Sequence, residues 1–119
     1  MEFVEAPAFT RHLASYLDDA GYRLLQAALQ DDPDAGDVMV GAGGFRKLRW
    51  PDPRRKKGKR GGLRLIYFYF REEQQIWLMT LYDKDEQDDL NREQKQALRR
   101  AIELELAARR SQRIQLERK

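Results

Sequence analysis

The sequence predicts an α+β domain: two N-terminal helices packed on a small antiparallel sheet, plus a C-terminal helix, in the order βααβββα. Three observations predict it. Apolar side chains recur at helical spacing between Pro7 and Leu29, three strand-length runs follow between Phe45 and Tyr82, and a helical period returns after Asn91. Helices cannot bury their apolar stripes alone, so the two N-terminal helices are expected to pack on one face of the sheet.

Phe3-Val4-Glu5 is a short apolar stretch and reads as a brief first strand. Pro7 suits the first turn of a helix, and Phe9, Leu13, Tyr16 and Leu17 give residues 7 to 18 an apolar stripe. Asp18 or Asp19 caps the second helix. Tyr22, Leu25, Ala28 and Leu29 form its buried face, and Asp31-Asp32-Pro33 ends it, because the residue before proline is pushed out of helical space. Residues 33 to 44 are turn-rich, with Val38-Met39-Val40 expected to tuck into the core.

Phe45 to Trp50 alternates as a strand, with Leu48 and Trp50 on one side and Lys47 and Arg49 on the other. Leu63 to Phe70 is apolar on both faces apart from Arg64, which marks a central strand covered on both sides. Ile76 to Tyr82 reads the same way, after a turn at Glu72 to Gln75. Asn91 with Gln94 has the spacing of a capping box, and Leu98, Ala101, Ile102, Glu105 and Leu106 share one face of the helix that follows. That helix reaches the other face of the sheet or its end. Residues 1–108 are expected to form a single domain. The charged tail 109–119 either continues the helix or frays.

At 119 residues the chain holds one modest core. No apolar run approaches the roughly 18 residues that span a bilayer, and the N-terminus lacks the basic and apolar regions of a secretory signal. A cytoplasmic protein is the expectation. The chain has no cysteine, which excludes disulfides, a thiolate nucleophile and cysteine metal sites. His12 is the lone histidine, so a histidine acid/base pair and the usual zinc sites are excluded as well; it reads as a surface or helix-packing residue. The acids Asp83, Asp85, Glu86, Asp88 and Asp89 are interrupted by Lys84 and precede a helix, where negative charge is favoured. They read as capping and solvated surface, with a magnesium site as the lesser alternative. No cofactor is expected.

Charge is distributed very unevenly. Between Arg46 and Arg64 there are ten Lys/Arg and one acid, so this stretch carries +9 in a chain of net +3, and the remainder is −6. Such a focus attracts a polyanion to one place. Lys47, Arg49 and Arg64 lie on strands flanking the loop, where side chains keep fixed directions. Phe45, Trp50, Tyr67, Phe68, Tyr69 and Tyr82 lie near them, and aromatic faces beside arginines are used to stack single-stranded RNA. Tyr67, Phe68 and Phe70 are assigned to packing. The loop to Gly62 has no apolar residue to anchor it and is expected to be mobile without a ligand.

The segments Gly43-Gly44-Phe45-Arg46-Lys47-Leu48-Arg49-Trp50, Gly58-Lys59-Arg60-Gly61-Gly62-Leu63-Arg64-Leu65-Ile66-Tyr67-Phe68 and Leu81-Tyr82-Asp83-Lys84-Asp85-Glu86-Gln87-Asp88-Asp89-Leu90 together resemble a HigB-type toxin of the RelE/ParE superfamily. With Gly36-Asp37-Val38 the resemblance covers roughly residues 3 to 106. It implies a RelE-like fold and the toxin half of a bacterial type II toxin–antitoxin system. It further implies a ribosome-dependent, metal-independent mRNA endoribonuclease (an mRNA interferase) that arrests translation and growth. The implied partners are a HigA-like helix-turn-helix antitoxin, the 70S ribosome and mRNA. Operator DNA is engaged only through the antitoxin, and no membrane is involved.

Carried over residue by residue, the resemblance implies that Arg64 holds the scissile phosphate, with Lys47 and Arg49 on the preceding strand in the region of the family's catalytic lysines. Lys84 lies close to the place of RelE's catalytic arginine, although Asp85 stands at that position. Leu90 and Asn91 occupy the region of the family's C-terminal tyrosine, and Tyr82 is the substitute. Arg54, Arg55, Lys56, Lys57, Lys59 and Arg60 are expected to hold messenger or ribosomal RNA phosphates. The alternatives are a ParE-like inhibitor of DNA gyrase and a non-catalytic nucleic-acid-binding or co-repressor module.

Overall fold

The computed structural model describes residues 1–54, 62–87 and 89–118. Its elements are β1 (Glu2–Glu5), α1 (Pro7–Tyr16), α2 (Asp19–Asp31), β2 (Asp37–Val38), β3 (Arg46–Trp50), β4 (Leu63–Phe70), β5 (Gln75–Asp83) and α3 (Arg92–Glu117). The class is α+β, with one five-stranded sheet in the order β1-β5-β4-β3-β2. Two expectations need correction. The order contains an extra strand, β2, whose two residues are too short to show any periodicity. The sheet is also mixed, because β1 runs parallel to β5 while the other pairs are antiparallel. β1 lies on the edge of β5 that β4 leaves open, and neither edge pairing nor strand direction is written in a single run of residues.

The helix ends follow local chemistry. Pro7 opens α1, and the Asp18 carboxylate accepts from the Gly21 amide at 2.7 Å, so Asp18 caps α2 and Asp19 lies in its first turn. At α3 both halves of the capping box form: Asn91 accepts from the Gln94 amide at 2.8 Å, and Gln94 accepts from the Asn91 amide at 2.9 Å. The segment expected as a charged tail continues α3 as far as Glu117. Arg109 lies over the Phe70 ring at 3.6 Å from its centroid, and Arg113 pairs with Glu72 at 2.7 Å, so this end of the helix rests on the β4–β5 turn.

β4 is central and divides two cores. On one side Phe9, Leu17, Leu25 and Leu29 from α1, α2 and their junction pack on Leu63, Leu65, Tyr67, Leu78 and Leu81. On the other, Ile102 of α3, with Leu98 and Leu106, covers Phe45, Ile66, Phe70 and Tyr82. A register shift between Ile66 and Tyr67 places Thr80 opposite Ile66 and Leu78 opposite Tyr67, leaving Met79 as an extra residue. That bulge keeps Leu78 and Leu81 on the α1/α2 side while Met79 and Tyr82 reach the α3 side.

β2 is held in place from beneath. The buried Tyr67 hydroxyl donates to the Pro33 carbonyl at 2.7 Å and accepts from the Gly36 amide at 2.9 Å, while Arg46 donates to the Gly36 carbonyl at 2.8 Å. Of Val38-Met39-Val40 only Met39 tucks in; Val38 and Val40 are 57% and 89% exposed, which corrects the expectation for that stretch. The next turn lies directly against α3. Gly43 has φ +70°, and a Cβ there would stand 2.8 Å from Ile102 Cγ2 and 3.0 Å from Arg99 Cα. Among the described residues no helix is long and apolar enough to cross a membrane.

Candidate nucleic-acid interface

Sheet register brings the strand-borne cations together. Arg49 pairs with Arg64, and Arg64 pairs with Tyr82, which gives one row across β3, β4 and β5. Lys47 pairs with Ile66 in the next row on the same side. Cross-strand partners point the same way, and so do alternate residues of one strand. Ile66 and Tyr82 pack toward α3, so Lys47, Arg49 and Arg64 all belong to the α3 face. Their backbone positions lie within about 5 to 7 Å of their neighbours in this array.

The environments in the row differ. Arg64 is only 5% exposed, and its guanidinium donates to the Leu63 carbonyl at 3.1 Å. Arg49 is exposed. The Lys47 ammonium lies 3.5 Å from Asp89 Oδ1, and the Tyr82 hydroxyl donates to that same oxygen at 3.1 Å. Burial pushes Tyr82 up to about 12, helped by the Asp89 charge and the hydrogen bond to it, so the phenol stays protonated and serves as a donor. Burial works to raise Asp89. The Lys47 charge, the Tyr82 hydroxyl and the Arg64 charge outweigh it, and the carboxyl is held below its ordinary range. Lys84 is exposed one residue beyond β5, and its amide donates to the Gly62 carbonyl at 2.9 Å. That contact sets it at the same end of the sheet as Arg64.

Arg54 goes elsewhere. Its guanidinium is 2.7 Å from Asp52 and 2.8 Å from Asp83, both with fully buried side chains, and stacks 4.7 Å from the Tyr16 ring centroid. Asp83 is paired with Leu63 and so belongs to the α1/α2 side, away from the Lys47 row. Arg54, expected among the phosphate-holding residues, is thus engaged by carboxylates of the chain itself and stands apart from the Lys47 row. Carboxylates hold Arg54 where the chain enters the basic loop, and the expectation that this loop is mobile falls on residues 55–61, outside the described residues. Arg55, Lys56, Lys57, Lys59 and Arg60 lie outside the described residues.

Sequence reasoning missed cations on α3. Lys47 and Arg49 line a groove of about 310 Å³ together with Lys95 and residues 37–40. A neighbouring groove of about 370 Å³ is lined by Arg92, Lys95 and Arg99 with Val40 and Gly41. Lys95 and Val40 belong to both, so the basic surface continues from β3 onto the first two turns of α3. The signal was present: Arg92, Lys95 and Arg99 recur at helical spacing, off the apolar face of Leu98, Ile102 and Leu106. Asp89 was also missed as a partner of the site, having been read only as part of an acidic run. The acids there face cations: Asp83 and Glu86 meet Arg54, and Asp89 meets Lys47. Among the described residues no group of three or more acids or histidines is spaced to hold a metal. His12 is half-buried on α1.

Chemically, this face offers guanidinium forks, an ammonium and a protonated phenol to an anion, which suits a phosphodiester. Fold and face together define a small α+β domain with a cationic sheet surface. Compared with models of known protein families, the chain matches none.

Proposed function

We propose that this chain is a ribosome-dependent, metal-independent mRNA endoribonuclease, the toxin half of a bacterial type II toxin–antitoxin pair, acting in the cytoplasm on a RelE-like fold. The observation that supports the reading most is the pairing of Arg49 with Arg64, and of Arg64 with Tyr82, beside Lys47 on one face. Gyrase poisoning gives no reason for such a set. In the reaction the ribose 2′-oxygen attacks the adjacent phosphorus and the bond to the 5′-oxygen breaks, leaving a 2′,3′-cyclic phosphate and a 5′-hydroxyl. Arg64 and Arg49 neutralise the phosphorane oxygens. Lys47 or Lys84 is the candidate acceptor of the 2′ proton, and Tyr82, whose raised pKa keeps it protonated, is the donor for the departing oxygen. The Lys95 groove holds the flanking strand by its phosphates.

One observation favours a binding module without cleavage: the Lys47 ammonium is already engaged by Asp89. The deciding experiment is expression in a bacterium with mapping of mRNA 5′ ends. Codon-phased breaks in translated messages, abolished by Arg64→Ala in a protein that still folds and binds its antitoxin, are the expected result. Intact messages with double-strand DNA breaks would replace this reading with gyrase inhibition. Intact messages and no growth arrest would leave a binding module.

A further inference from the structure

Asp89 stands inside a cluster otherwise suited to a phosphate. Its Oδ1 accepts from Tyr82 and lies beside the Lys47 ammonium, and the charge of Arg64 acts on it as well. Lys47 and Arg64 are the groups on which the proposed function relies for RNA. A carboxylate and a phosphodiester both present anionic oxygens to such donors, so the two compete for one place.

We propose that Asp89 is a resident anion, a carboxylate of the chain itself that occupies the phosphodiester position formed by Lys47, Arg64 and Tyr82, and that single-stranded RNA binds there by displacing it. Three features make displacement feasible. The Asp89 side chain is 55% exposed, so solvent and ligand reach it. Residue 89 lies between the turn after β5 and the Asn91 cap of α3, so it can move without breaking a strand or a helical hydrogen bond. Its ion pair with Lys47 is long and half in water, and such pairs hold weakly. A phosphodiester strand that also reaches Arg49 and Lys95, which line one groove with Lys47, gains contacts that a single carboxylate on Lys47 lacks. Asp89 thereby keeps weak anions out and sets a threshold for ligands.

This inference rests on the proposed function only for the choice of RNA as ligand, and its test needs no cleavage. A fluorescent single-stranded oligoribonucleotide, made uncleavable by 2′-deoxy substitution, is titrated against the full chain. Asp89→Asn keeps the size of the side chain and an acceptor for Tyr82 but removes the charge. It should bind about 2- to 5-fold tighter than wild type, the range expected for removing one weak competing pair, and the gain should vanish in a Lys47→Ala background. Unchanged or weaker binding by Asp89→Asn would overturn the proposal. Should the variant not fold, amide resonances of Asp89 and Leu90 in the wild type must shift on titration; fixed resonances overturn the displacement. Failure of the nuclease reading shows separately, as intact messages with the affinity gain retained.

Discussion

Arg49 and Arg64 are direct cross-strand partners, so two guanidinium side chains stand opposite one another on the α3 face of the sheet. Like charges in that position destabilise a strand pair. An anion shared between the two would turn that repulsion into a grip.

Removing one of the two charges should therefore separate stability from binding. Arg49→Gln is expected to raise unfolding free energy by about 0.5 kcal/mol, while oligonucleotide affinity falls and the salt slope flattens by about 0.7 for the lost phosphate contact. Urea unfolding and anisotropy titrations over a salt series measure both. A variant that is no more stable and binds as well as wild type would show that the pair has no shared ligand.

Arg54 should behave in the opposite sense. It answers the buried carboxylates of Asp52 and Asp83, so Arg54→Ala leaves charge inside the fold with less compensation. The expected loss is about 3 kcal/mol, seen as an earlier urea midpoint. The salt slope of RNA binding should not move, and a slope lowered by about one contact would return Arg54 to the phosphate-holding set.

Gly43→Ala tests how closely the turn rests on α3. The left-handed backbone disfavours a Cβ, and the new methyl would meet Ile102 and the Arg99 backbone. A loss of about 2 to 3 kcal/mol is expected. An unfolding curve superimposable on wild type would mean that the loop and helix part easily.

The Asp89–Tyr82 hydrogen bond predicts a pH profile. Asp89 is depressed in the fold, so its contribution is present above the ordinary carboxylate range and is lost as pH falls through the folded value. Tyr82 is raised to about 12, so its contribution holds below its ordinary value of 10.0 and is lost as pH climbs toward 12. From about pH 5 to about pH 9 the tie should stay intact. Carbon-labelled tyrosine NMR, assigned with Tyr82→Phe, should place the Tyr82 midpoint near 12, and Asp89→Asn should lower it. A midpoint near 10 in the wild type would contradict the contact.

What the sequence determined by itself was local. Two-faced apolarity marked β4 as the central strand, Asn91 with Gln94 marked the start of α3, and simple alternation put Lys47 and Arg49 on one side of β3. These features depend on periods of 2 and 3.6 residues and on capping chemistry within one turn, all contained in short windows. The tertiary structure decided the rest. Only strand register set Arg64 and Tyr82 in line with Arg49, and only folding gave β1 its parallel partner and β2 its place under Tyr67 and Arg46. Arg54 looked like its basic neighbours until the chain brought Asp83, far away in sequence, against it. Lys95 and Asp89 joined the cationic face in the same way. Burial and charge pairing between distant segments fix these relationships, and no window of neighbouring residues contains both halves of them.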